Sequence, residues 1–570
     1  MRRLSSQAGK YDLLFAALCT AIIAFFVYIA QFGYNGYDES FYLTVPYRLV
    51  QGDVLLRDEW HPAQLAGFLM YPVMWLYMNL AESTDGMVLA FRYIYIAAQA
   101  AAAVYIYLRL KKLSPLGAIA ASTVYFLFVP YYRFSLSYNS LAIMLLLLAG
   151  ITAATAKSGA AYAASGLMFA GAVLCCPYLV IMYALYTAAI IIYSLVNDSR
   201  VREWLLFTCG CAALAALFLA VLLVRAAPQQ LIAGIGNTLK DPEHSGFSFL
   251  EMVGLYIKHM CFSRLCARVS TFGCLLILLL MKLDKRRYEH GWAYMLASAL
   301  ICMGYLALSL NGYTYRYINY YMVPLSVPGI TAYLLHEKRP RRIFRLVFVS
   351  GWLFSFFKCL SSNQFYYALS EGLCVSTAAS AFFIGSWYSE YKTQRKQKRV
   401  KEKISSAAAL ACIVMLCCML VRDNAELCSG NCRTTGIDLT ETLTEKMSGG
   451  VADGLVATRE ENLNYRKYLE ATKEVRAYKG KNVLYFSWEM WLYLMDGKEN
   501  AAFSAWLSFA QPDVAAERML EYWRLNPDKK PDAMFIDKDF TNAEKYTEQL
   551  NTEKFPVKES ELGYILLRPE

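Results

Sequence analysis

Two adjacent carboxylates, Asp38 and Glu39, follow the first long apolar run in the string Gly33-Tyr-Asn-Gly-Tyr-Asp-Glu-Ser. Ionisable side chains beside a bilayer are costly unless they face water, a partner or a ligand, so the pair is a candidate for proton transfer. Acids also suit a helix N-terminus. The apolar stripe Phe41, Tyr42, Val45, Leu49 and Val50 predicts a short helix lying along the membrane surface from this point, and capping accounts for one acid more easily than for two. Downstream stand Asp53, Asp58, Glu59 and His61. Glu59 and His61 could orient a substrate or, with His244 of a later loop, help hold a divalent metal ion. Cations able to neutralise a phosphate are Arg92, Lys240, Lys258, Arg264 and Arg316, the last beside Tyr315. Arginine offers a two-pronged grip on phosphate and lysine a point charge; each could equally be a cation snorkelling at the interface.

The elements that must position these groups are membrane spans. Of 570 residues 57% are hydrophobic and 18% charged, a balance that excludes an ordinary water-soluble globular protein of this length. Apolar runs recur from Leu13 to Leu420, and mixed polar sequence follows to Glu570. The expected division is therefore a transmembrane domain over 1–421 and a second domain over 422–570. Thirteen spans are expected, near 12–30, 89–108, 116–132, 137–156, 161–176, 178–196, 204–224, 267–283, 291–310, 318–335, 343–359, 369–388 and 404–421. With a cytoplasmic N-terminus, this count places the basic clusters at Arg109, Arg200, Lys285, Lys338 and Lys392–Lys403 inside, as the positive-inside rule requires. It places 31–88, the loop around His244 and the tail outside. Two readings support the count: Ala63–Leu80 lies on or dips into the membrane, and the run 161–196 breaks at Pro177.

From Arg422 onward the tail has 20 basic and 26 acidic residues, net −6 against +17 for the rest, which argues against a nucleic-acid partner. Lys481-Asn-Val-Leu-Tyr-Phe and Pro531-Asp-Ala-Met-Phe-Ile-Asp read as buried strands and Val514–Leu525 as an amphipathic helix, so the tail is expected to be a small extracytoplasmic α/β domain. It has no glycine-rich phosphate loop. Cys428 and Cys432 could form a local disulfide in an oxidising compartment.

The order of motifs resembles the first outer loop of GT-C glycosyltransferases, especially protein mannosyltransferase and lipid A aminoarabinose transferase relatives. The elements are Asp38-Glu39, a helix from Phe41 to Gly52-Asp53, His61-Pro62-Ala-Gln-Leu and Ala90-Phe91-Arg92. Tyr315-Arg316-Tyr317 with Pro324 and Pro328 is similar to a late-span element of the family, whereas Ala63 stands where such relatives have a second proline. The resemblance covers the membrane half and barely touches the tail. It implies a GT-C-like multi-pass enzyme of the cell membrane that moves a hexosyl or pentosyl group, with inversion, from a polyprenyl-phosphate sugar donor to a cell-envelope acceptor: a glycan, a lipid or a protein. It further implies that Asp38 is the base with Glu39 second, and that the phosphate meets cations near Arg316. The competing expectation is a transporter or flippase of lipid-linked saccharides, which should carry polar or broken helices at the bilayer midplane; here the spans read as plain and the acids gather in one loop.

Overall fold

The computed structural model describes residues 2–34, 36–194, 201–240, 248–262, 264–310, 320–361, 369–394, 400–427, 443–495, 497–507 and 512–569. Among these, nine helices are long and apolar enough to cross a membrane, which makes the chain a multi-pass helical membrane protein. Four shorter apolar helices, Tyr138–Ala154, Gly159–Cys175, Pro177–Tyr193 and Tyr321–Leu335, lie where the remaining spans are expected. Helices suit a hydrocarbon setting because each satisfies its own backbone hydrogen bonds.

Composition sorts these helices by place. Val201–Arg225 is rich in Leu and Ala all round and largely exposed, leaving its apolar side chains to lipid, whereas the span Leu369–Glu390 is enclosed by its neighbours over all but its last turn. The central helix is studded with small residues, and Gly372 brings it backbone to backbone with the helix Val349–Leu360: a Cβ at Gly372 would collide with the backbone of Ser355, and one at Gly351 with that of Ser376. Close approach of this kind is how helices associate where no water drives them together.

One end of the bundle is built by the segment after α1 (Arg2–Ile29). Here α2 (Asp38–Gln51) stops at Gly52, whose φ of 112° suits glycine, and α3 (Ala66–Leu80) leads to α4 (Met87–Leu110). Two further helices follow, α5 (Pro115–Leu127) and α6 (Tyr138–Ala154). The helix expected from Phe41 is present and starts at Asp38 itself, but most of its residues are buried, so it is packed inside the protein and not laid along a surface. At 15 residues α3 is about 22 Å long, short of the ~30 Å hydrocarbon core, and it is not among the helices able to span.

The tail contains a short hairpin, β1 (Glu445–Lys446) with β2 (Val456–Ala457), and a five-stranded sheet. That sheet comprises β3 (Asn482–Phe486), β4 (Glu499–Asn500), β5 (Ala533–Asp537), β6 (Val557–Glu559) and β7 (Gly563–Leu567) in the order β4-β3-β5-β7-β6. β3 runs parallel to β4 and β5, while β7 is antiparallel to β5 and β6. Both expected strands and the helix Pro512–Leu525 are therefore present. Wholly buried β3 and β5 explain the unbroken apolar text of those segments.

The expected boundary near 421 separates text more cleanly than structure, because the tail shares one apolar core with the first loop: Tyr34, Leu43, Tyr47, Trp60 and Phe91 pack with Trp491, Phe503, Tyr522 and Phe535. Backbone bonds stitch the seam, including Gly33 N–H to Val456 O (2.7 Å), Trp60 N–H to Phe503 O (2.9 Å) and Gly86 N–H to Gly450 O (2.9 Å). Replacing Gly372 with Val should force the central helices apart and lower the melting temperature of detergent-purified protein by several degrees. Gly304→Ala, where a Cβ would meet nothing within 4 Å, should leave it unchanged.

Candidate functional site

The two carboxylates at the start of α2 are one residue, roughly 100° of helix, apart and face different surroundings. Glu39 is buried and accepts from Arg92 through both oxygens, Nε at 2.8 Å and Nη2 at 2.6 Å. Arg92 also donates to the carbonyls of Ala30, Phe32 and Gly33. These bonds make Glu39 and Arg92 a sealed strut between α2, α4 and the end of α1. That arrangement overturns the expected roles of Glu39 as a second base and Arg92 as a substrate ligand, since neither charge faces an open space.

Glu59 is corrected in the same way. It is 2% exposed and accepts from Arg48 Nη1 at 2.7 Å and from the His61 amide at 3.1 Å. Burial pushes its carboxyl up and Arg48 pulls it back. Arg48 further binds Asp53 (2.6 Å), the carbonyl of Asp58 (2.5 Å) and, across the seam, the carbonyl of Ala502 (3.0 Å). Asp53 continues to Lys529 at 2.6 Å, and Lys529 to Glu499 at 2.6 Å. Asp58 lies against this chain, where burial and Asp53 raise it to about 6 against the pull of Lys529 and Arg57.

His61 accepts at Nδ1 from the Ala63 amide (3.0 Å), and its ring clusters with those of Phe41 and Trp506. His244, Tyr315 and Arg316, like Cys428 and Cys432, lie outside the described residues. Among the described residues no group of three or more His, Cys, Asp or Glu side chains is arranged to hold a metal ion, and Glu59 is paired with Arg48, while His244, its expected partner in a metal site, lies outside those residues. Of the remaining cations, Lys240 lies near Glu521 of the tail, Lys258 is exposed, and Arg264 is exposed at the start of the helix Leu265–Leu283.

Asp38 has a different setting. It forms an ion pair with Arg133, and the two side chains are 20% and 17% exposed. Arg133 comes from the loop between α5 and α6, whose preceding residues Tyr131 and Tyr132 both take left-handed backbone conformations (φ 52° and 57°). Such conformations cost about 1–3 kcal/mol each for a bulky residue and persist only when surroundings enforce them. The restraint here is specific: Tyr131 donates to Glu371 (2.5 Å) and Tyr132 to Asp423 (3.2 Å), while Ser137 and Ser140 form a capping box that starts α6. Tyr42, one turn beyond Asp38 on α2, packs its ring on Tyr138 at 5.8 Å.

Beneath this loop the bundle interior is not plain. Lys358 donates to Asn139 (2.6 Å), approaches Glu371 (3.3 Å) and lies 4.7 Å over the Tyr138 ring. Sequence reading missed Arg133 and the Lys358–Glu371 pair, although each left a signal. Arg133 is a lone cation in a turn expected on the outer side, where basic residues are scarce, and the other two are charges inside spans.

The tail contributes a second wall. Ser487, Glu489, Asp537 and Asp539 lie at or just after the carboxyl ends of parallel β3 and β5, where α/β sheets commonly present functional groups. Asp537 accepts from Ser487 (2.5 Å) and Tyr468 (2.8 Å), and Glu489 lies against Gly36, two residues before Asp38. The Tyr37 hydroxyl is raised by burial and by Glu489, Asp539 and Asp537. Burial raises Glu489 to about 7, opposed by the Trp491 indole N–H and helped by Asp537 and Asp539.

A partly exposed carboxylate, a guanidinium and an acidic wall can together take a proton from a hydroxyl or amine and hold an anion beside it. No protein-family model matches this chain, and a search of curated proteins found no significant match.

Two outcomes are expected from these pairings. Arg92→Met should cost about 3–5 kcal/mol in unfolding because it strands a buried carboxylate, and the double change with Glu39→Gln should recover most of that loss. Glu489 has a folded value above its usual one, so the folded tail binds more protons between about pH 4.5 and 7 and loses stability as pH rises through that window. Glu489→Gln should flatten this decline, worth up to ~3 kcal/mol, in unfolding followed by tail tryptophan fluorescence.

Proposed function

We propose that this chain is an integral membrane glycosyltransferase of GT-C-like architecture. It moves a sugar from a polyprenyl-phosphate donor to a cell-envelope acceptor, with Asp38 as general base. In this reading the nine long helices and the four shorter ones make thirteen crossings from a cytoplasmic N-terminus. The α2 end of the bundle, the tail and the site between them then face the outer side of the cell membrane. The observation that carries the proposal is Asp38: a partly exposed carboxylate on the first turn of an otherwise buried helix, opposite an arginine and beside a bundle from which a lipid-linked donor can enter.

The chemistry asked of these groups is modest. As the acceptor's oxygen or nitrogen attacks the anomeric carbon from the side opposite the phosphate, its proton passes to Asp38. The anomeric carbon–oxygen bond breaks and its electron pair leaves on the lipid phosphate, where a cation stabilises the growing charge. Inversion follows from the single displacement. The acid wall after β3 and β5 suits acceptor hydroxyls or amines.

A second reading, a transporter or flippase of lipid-linked saccharides, is favoured by the Lys358–Glu371 pair within the bundle, since intramembrane charges often line a path. The two readings separate in one experiment. Purified protein in lipid is given a panel of polyprenyl-phosphate sugars, and released sugar is measured for wild type and Asp38→Asn. A transferase should turn over at least one donor and slow by ~100-fold or more in the variant while remaining folded. Undiminished turnover in the variant would remove Asp38 as base, and Lys358→Met abolishing transbilayer movement without any sugar release would establish the transporter.

A further inference from the structure

The ion pairs around α2 fall into two kinds. Those of Glu39 with Arg92 and of Arg48 with Asp53 and Glu59 have side chains only 2–4% exposed, so nothing from solution or lipid can reach them without unfolding. The pair of Asp38 with Arg133 is open to a fifth of its side-chain surface. Its backbone supports are nonetheless fixed on both sides. Asp38 is built into the first turn of α2, and Arg133 stands on a loop pinned through Tyr131 to Glu371 and through Tyr132 to Asp423. Side chains that are reachable, carried on a backbone held by such bonds, are suited to changing partners.

We infer that Arg133 is an anion-binding residue whose resident partner, Asp38, is displaced by a phosphate. The donor's phosphate is a diester with two non-bridging oxygens and one charge, the same charge as a carboxylate; the lipid phosphate released on transfer is a monoester with up to two, and a guanidinium matches either with two parallel hydrogen bonds. Asp38 is not stranded by the exchange, because the N-terminal end of α2 continues to favour its negative charge. The exchange deepens the transferase reading, on which it rests for the identity of the phosphate: Asp38 gives up Arg133 only when a phosphate is seated there. It forms and breaks no covalent bond.

The test is binding, without a sugar. Farnesyl phosphate in phosphatidylcholine nanodiscs and, separately, inorganic phosphate are titrated calorimetrically into wild type, Asp38→Asn and Arg133→Ala. Removing the internal competitor should tighten binding in Asp38→Asn by about tenfold, and Arg133→Ala should weaken it by tenfold or more. If the order appears with farnesyl phosphate alone, the ligand is a lipid headgroup; if it appears with both, the site takes a phosphate whether or not it is esterified. Unchanged or weaker binding by Asp38→Asn would overturn the exchange. Should Arg133→Ala fail to fold, the neutral pair Asp38→Asn with Arg133→Gln must bind as poorly as predicted for it, and wild-type affinity there would equally overturn the inference. Because turnover plays no part, loss of this order sinks the exchange even in an active transferase, and an intact order without sugar transfer sinks only the transferase reading.

Discussion

The buried guanidinium of Arg48 is the interaction on which this end of the molecule depends. It rises from α2, closes the loop 53–59 by gripping Asp53, Glu59 and the Asp58 carbonyl, and reaches the tail at the Ala502 carbonyl. Taking such a cation out of water costs several kcal/mol, and the cost is offset only when each donor meets an acceptor and each neighbouring acid meets its own cation. Asp53 passing to Lys529, and Lys529 to Glu499, meets that requirement. A network of this kind contributes little net stability over an apolar core but admits few alternative arrangements, because any shift of α2 against the tail leaves a charge unpaired.

Around that hub, neighbouring residues have been divided between architecture and chemistry. Asp38 and Glu39 share a residue class and adjoin in the chain, yet one turns inward to a five-bonded arginine and the other outward to a partner it can release. The division follows from helical geometry alone. Arg48 and Arg133 make a similar contrast, the first enclosed by four acceptors and the second held at an opening by a loop whose backbone is constrained through Tyr131 and Tyr132.

Much of this was legible in the text of the chain. Apolar runs located the helices because lipid leaves a long run few other options, and the strands β3 and β5 stood out because sheet strands buried on both faces read as unbroken apolar segments. The helix at Asp38 was visible in its stripe. What could not be read was pairing. Glu59 with His61 resembled a ligand pair because they are neighbours in sequence, whereas the true partner, Arg48, sits eleven residues back on another element. Arg92 looked like a phosphate cation for want of knowledge that α1 ends with three carbonyls aimed at it. The joining of tail to first loop was hidden for the same reason: shared cores between segments four hundred residues apart leave no periodicity.

That shared core also orders events during synthesis. The loop 31–88 emerges from the ribosome early, with Trp60, Tyr47 and the charged side chains around Arg48 requiring partners that lie beyond residue 490. Until those arrive the loop cannot complete its interior, and contacts this distant in sequence are the slow ones to form. The nascent protein therefore passes through a long interval with its membrane helices inserted and α2 unsupported, and assembly of the Asp38 region is postponed to the last step of translation. A chain released before its tail is made cannot complete the packing of that region.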